Sequence, residues 1–431
     1  MAIILKHTNF IHWETLEFLE TNILIEEGEG RHLKFFRNFS DIKPGADDQI
    51  IDCKGCYVTK SFAVGHHHVY SALARGMPAP AKSPENFREI LQYIWWNLDK
   101  ALDKDSIEAS ALATAMACAK AGATFAIDHH ASPNYIPGSL AIIASAFEKV
   151  GVAHLLCYEV TDRDGPEKAA LGLEENENHL KNHQGLLGLH ASFTVGANTM
   201  KKAALLAEKL NTGVHVHLAE DLYDQEHCLQ HYHKRVVQRF ADYGFLDAPE
   251  SIMVHGLHLD EKEREILNYS KAWIAQNMES NLKNKVGYFS GRGLAHDRIM
   301  LGTDGMHSDM LQSAKAAFFA GQHTDDINFK RAYERFRNVH RYLRTNSFKG
   351  DGDNNLVVLD DDSPTPFNRE NFYGHFIFGL RSNHVRHVIS SGKLIVKNRE
   401  LQNINETETL DFAKEQAQRL WSKLLRANQT A

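Results

Sequence analysis

Short apolar runs, each closed by glycine or a polar turn, recur along the middle of the chain and predict buried β-strands. They are SFAVGH (61–66), ATFAIDH (123–129), GVAHLLCYE (151–159), GLLGLHA (185–191), GVHVHLA (213–219), SIMVHG (251–256), AWIAQN (272–277) and IMLGTD (299–304). Between them, segments such as SIEASALATAMACAKAG (106–122) and TMKKAALLAEKLN (199–211) space their apolar residues as helices do. Eight strands alternating with helices predict an α/β fold, a (β/α)8 TIM-type barrel over 59–349, although an open doubly wound sheet shares the alternation. Strand cores this apolar suit strands buried on both faces.

The flanks have another texture. Residues 1–58 hold strand-like ILKHTNFIHW and NILIEE, and 350–405 repeat it in NNLVVLDD, HVRHVISS and KLIVKNREL. Two β-rich ends predict one small β-sandwich built from both termini. The last stretch, 406–431, contains LDFAKEQAQRLWSKLLRA and predicts an amphipathic helix packed on the body.

Composition narrows the function classes. A net charge of −7 with no basic run argues against nucleic acid and against an anionic membrane surface as partners. No apolar stretch reaches the ~20 residues that span a bilayer, and the start reads as a strand rather than a signal peptide. Five cysteines in 431 residues make a disulfide framework improbable and fit a cytoplasmic location. Cys53 and Cys56 form a lone CxxC with no second ligand pair at zinc-site spacing. The unusual number is 26 histidines.

In a barrel the active site lies at the C-terminal ends of the strands. Those ends carry His66 and His68, His129 and His130, His190, His217, His255 and Asp304. His66 and His68 alternate along a strand and so share a face, with His67 turned away. Together with His217 and Asp304 they form a candidate set of ligands for one divalent metal ion, zinc first, with iron or manganese as alternatives. Glu220 follows His217 closely enough to share the barrel mouth without being a ligand. His215 shares a face with His217 and reads as a supporting group. Singly, His190 or His255 could be a core histidine and Asp304 a turn residue.

At these positions the sequence resembles the amidohydrolase superfamily, within it the chlorohydrolase/aminohydrolase subgroup of guanine, adenosine-type and triazine deaminases. The matching text runs nearly end to end: HHHVYSALARG (66–76), IDHHASP (127–133), LHASFTV (189–195), HLAEDLYD (217–224), VHGLHL (254–259) and LGTDGMHSDM (301–310). The resemblance implies His66, His68, His217 and Asp304 as metal ligands. It makes Glu220, His255 and Asp304 the catalytic groups and His190 a substrate contact. Where members with two metals carry a bridging lysine on the fourth strand, this chain has His190, which favours one metal. Three departures stand out: Lys60-Ser61 for the usual Pro-Gly, Gln276 where a histidine is common, and Glu279 before Ser280-Asn281. Trp95, in an aromatic wall with Trp96 and Phe193, and Gln276 are further expected substrate contacts, although tryptophans at helical spacing also read as core.

The implied reaction is hydrolytic deamination of an amino-substituted nitrogen heterocycle of purine, pterin or triazine type. The metal lowers the pKa of its water from ~16 toward ~7, and Glu220 protonates the ring nitrogen. One alternative is ring opening of a cyclic amide of hydantoin type; another is a catalytically silent binding protein on the same fold. The small heterocycle is the expected partner, and homo-oligomerisation stays open.

Overall fold

The computed structural model of the chain describes residues 2–28 and 33–430; positions 1, 29–32 and 431 of the expected spans lie outside it. All eight expected barrel strands form, in register with the runs read from the sequence. They are β1 (Phe62–His67), β2 (Ala123–His130), β3 (Ala153–Tyr158), β4 (Leu187–Ala191), β5 (Val214–Leu218), β6 (Ile252–His255), β7 (Trp273–Gln276) and β8 (Ile299–Leu301). Neighbours pair in parallel from β1 to β3 and from β4 to β8. Bridges Leu156–Gly185 and Val160–Leu189 join β3 to β4, and His67–Asp304 joins the two ends of the series. The closed barrel and not the open sheet is therefore the architecture.

Burial on both faces explains the apolar runs. Inward residues Phe125, Ile127, Leu155, Val254, Ala275 and Met300 fill the barrel with Tyr342 and Leu343 from the helix Phe329–Thr345, which closes its lower end. Outward residues pack on helices such as Lys104–Lys120 and Ala197–Leu210, the two expected from periodicity.

One irregularity of β1 decides where the histidines go. From Val64 to His67 the strand takes three steps while its neighbour takes two, from Ala126 to Asp128. The extra residue is a β-bulge, which reverses the alternation. Ala63 faces the interior, so unbroken alternation would send His66 and His68 outward. The bulge turns both of them inward. Gly65 sits within it, and a Cβ there would stand 2.6 Å from the Leu301 carbonyl oxygen.

Among the described residues, strands from both chain ends build one nine-stranded sheet. The ends join where Tyr57–Lys60 pairs antiparallel with Leu356–Leu359. Ile3, Leu5, Ile23, Val58, Val358 and Ile389, drawn from both termini, share one hydrophobic cluster within it. Lys60 is buried where the chain enters the barrel. Its ammonium lies 2.8 Å from Asp351, which also accepts from His340 Nδ1 at 2.8 Å. The departure Lys60 thus has a structural partner at the return from barrel to sheet. The C-terminal helix Glu406–Thr430 buries Leu420 and Leu424 in the main core, and the Trp421 indole donates to the Leu73 carbonyl at 2.8 Å. Among the described residues no helix is long and apolar enough to cross a membrane.

Candidate metal centre and active site

The structure brings His66, His68, His217 and Asp304 together at the C-terminal mouth of the barrel. The ring nitrogens of the three histidines lie within 4.8 Å of one another. Asp304 Oδ1 is 3.7 Å from His66 Nε2 and 3.3 Å from His68 Nε2.

The hydrogen bonds behind these rings set their tautomers. His68 Nδ1 donates to the His129 carbonyl (2.7 Å) and His217 Nδ1 to the His190 carbonyl (3.0 Å). Cys157 donates its S–H to the Asp128 carbonyl and accepts from His215 Nδ1 at 3.6 Å. His215 Nε2 is thereby an acceptor for His66 Nδ1, at 2.9 Å. His215 serves as the supporting group expected from its face. Burial lowers the pKa of all three front imidazoles, so they are neutral. Each then presents a bare Nε2 lone pair to one point. His66 Nε2 is buried with no hydrogen-bond partner, and His68 and His217 hold their Nε2 atoms 3.1 Å apart. Three converging lone pairs beside a carboxylate are the donor set of a divalent cation, and ligating histidines oriented from behind are its usual support. The residues present fit the expected metal.

His255 and Glu220 adjoin this cluster. Asn281 Nδ2 donates to His255 Nδ1 at 2.8 Å, so the proton of His255 sits on Nε2. That nitrogen lies 3.4 Å from Glu220 Oε2 and 3.8 Å from Asp304 Oδ2. Burial brings His255 down to about 4 despite the Asp304 charge. Burial, followed by the Asp304 charge, pushes the Glu220 carboxyl well above its ordinary value. Three residues here hold left-handed backbone without being glycine: Ala219 (φ 46°), His255 (φ 74°) and Asp304 (φ 52°). Such strain concentrates at functional sites. The Asp224 carboxylate pins the first of them, accepting from the Ala219 N–H at 3.0 Å and the Phe193 N–H at 3.1 Å.

A small pocket of about 60 Å³ opens over the cluster, and His190 and Trp95 line it with Glu220 and His255. Gln276 does not come to it. Its amide oxygen accepts from Arg335 at 2.9 Å, in a buried network with Asp325. Glu279 also serves structure, accepting from His307 at 2.6 Å and Gln312 at 2.7 Å.

Sequence reasoning missed a second charged wall of the pocket. Arg163 lies between Asp99, which it bonds through Nη2, and Glu159, 3.5 Å from Nη1, with its guanidinium 5.1 Å from the Trp96 ring. Glu159 is 3.2 Å from His129 Nδ1 and 3.9 Å from His190 Nε2. Burial alone would raise Glu159, but His190, His129 and Arg163 hold its carboxyl below the usual range. The signal available was Glu159 closing the third apolar run, the position at which other runs end in histidine.

Residues 62–336 match the amidohydrolase family. A 5-methylthioadenosine/S-adenosylhomocysteine deaminase of Thermococcus sibiricus is 26% identical over 92% of this chain and 94% of its own. A 5'-deoxyadenosine deaminase of Methanopyrus kandleri is 26% identical over 83% and 85%. Among solved structures, a zinc-bound adenosine deaminase of Xanthomonas campestris superposes with a TM-score of 0.81 at 17% identity, covering 97% of this chain and 98% of that one. Guanine deaminase of E. coli gives 0.75 at 18% identity over 92% and 98%. Barrel, strand-end histidines and a family match over most of the length agree: the chain belongs to the amidohydrolase family and is a hydrolase acting on C–N bonds.

Proposed function

We propose that this protein hydrolytically deaminates an amino-substituted nitrogen heterocycle, using one divalent metal, zinc, held by His66, His68, His217 and Asp304. The observation that carries this is the placing of Glu220 beside the His255 Nε2–H and the Asp304 carboxylate, all facing one small pocket. The names of the related deaminases support the substrate class.

When bound, the cation supplies the Lewis acidity that makes water nucleophilic near neutral pH. The rest falls to the chain. Asp304 accepts the proton that the attacking water sheds. Glu220 gives a proton to the ring nitrogen next to the carbon under attack, general acid catalysis worth ~10²–10⁴-fold. The His255 Nε2–H stabilises the oxygen that gains charge on that carbon. His190 and Trp95 bound the ring; the proton held by Asp304 passes to the amine, the C–N bond breaks and ammonia departs, while the hydroxyl left on the carbon returns a proton to Glu220 as it becomes the carbonyl. Purified protein with its metal content measured, assayed for ammonia release from aminated purines, pterins, pyrimidines and triazines, tests the proposal. Release from one class supports it. Full metal occupancy with ring opening of hydantoins and no ammonia from any amine would overturn it.

A further inference from the structure

Beside the small pocket lies a far larger one, about 1020 Å³, between the helix Lys104–Lys120, the turn Val69–Ala74 and the C-terminal helix. The two adjoin, sharing Trp95, Lys283, Gly305 and Met306 as wall. Leu73, Met77, Met116, Ala417 and Trp421 make the large trough mainly apolar. Its charges are unbalanced. The acidic side chain lining it, Glu406, is neutralised by Lys120. Arg75 is exposed, and neither it nor Lys283 makes an ion pair among the described residues. Lys283 stands at the junction, its ammonium 5.3 Å from the Trp95 ring centre.

We propose that this trough binds an apolar chain ending in an anion, carried as the remote substituent of the heterocycle whose reacting ring occupies the inner pocket. An apolar concavity with a few polar anchors is what such a ligand needs, and the shared wall gives the substituent a path out of a pocket too small to hold it. Lys283 flanks the exit and Arg75 meets the terminal charge. The link to the ring rests on the deamination proposed above; the affinity of the trough for a chain carboxylate does not.

The probe is decanoate, titrated calorimetrically into the full-length, metal-loaded protein, with decylamine as its cationic counterpart. Decanoate should bind, and decylamine at least tenfold more weakly. Ala417→Trp, which fills the trough from the C-terminal helix, should weaken decanoate at least tenfold with metal content unchanged. Arg75→Ala, at an exposed position, should weaken it about tenfold, the scale of one charge-assisted hydrogen bond. An adenine bearing a ten-carbon carboxylate chain should displace decanoate and bind at least tenfold tighter than adenine. Three results would overturn the proposal: no decanoate binding, equal binding of decylamine, or no gain from tethering chain to ring. So would an Ala417→Trp protein that sediments as a monomer where the parent is a dimer, since a second copy of the chain would then fill the trough.

Discussion

His68 and His217 meet Nε2 to Nε2 at 3.1 Å, and both have spent their protons on backbone carbonyls behind them. Neutral and aimed at each other, the two lone pairs repel unless a cation lies between them. The pair is thus arranged as a cation seated between them would need.

Metal removal should therefore cost stability as well as activity. A ligand bound at about 1,000 times its Kd stabilises by about 4 kcal/mol. Chelation should lower Tm by several degrees and abolish ammonia release, with zinc restoring both. His68→Ala should purify with little metal by elemental analysis and gain nothing in Tm when zinc is added.

Glu220→Gln should keep metal and fold. Its turnover should fall about 10²-fold or more, the scale of a lost general acid. Ammonia release at matched metal occupancy checks this, and a variant keeping most of its kcat would make Glu220 a structural residue.

Gly65→Ala tests the bulge. The new Cβ has the Leu301 carbonyl 2.6 Å away and cannot push that backbone aside without moving the strand next to the Asp304 loop. A loss of about 1–3 kcal/mol is expected from overpacking, with a lower fraction of bound metal. Denaturant unfolding and elemental analysis measure the two effects separately.

Asp351 tests the junction of barrel and sheet. Burial opposes its ionisation, but His340 and Lys60 overcome this and bring it from 3.8 to about 2. A depressed carboxyl contributes stability that is present above its unfolded pKa and lost as pH falls through the folded one. The contribution should therefore fade between about pH 4 and pH 2 and amount to about 2 kcal/mol. Asp351→Asn should remove that part of the acid limb in unfolding curves. It should also cost about 3–5 kcal/mol at neutral pH by leaving Lys60 buried without its counter-ion.

The eight strands were legible because burial on both faces makes each one a mainly apolar run, and the chemistry stood out as the polar residues ending those runs. Two kinds of feature were not legible. The Asp99–Arg163–Glu159 wall joins a helix to the loop after β3, and nothing in local spacing announces a partner so far along the chain. Gln276 ends its strand as the candidate ligands end theirs, yet Arg335 from the closing helix captures its amide. The inward turn of His66 was hidden as well. The pair share a face by spacing alone, but which face depends on a bulge that period-two counting from Ala63 would miss.

That bulge makes the site a matter of arithmetic as much as of residue identity. Straightening the strand there without removing a residue would leave every imidazole in the chain and swing two of them from the mouth to the helical shell. Loops around the mouth are free to lengthen and shorten as substrates change, but the reading frame of the first strand is not.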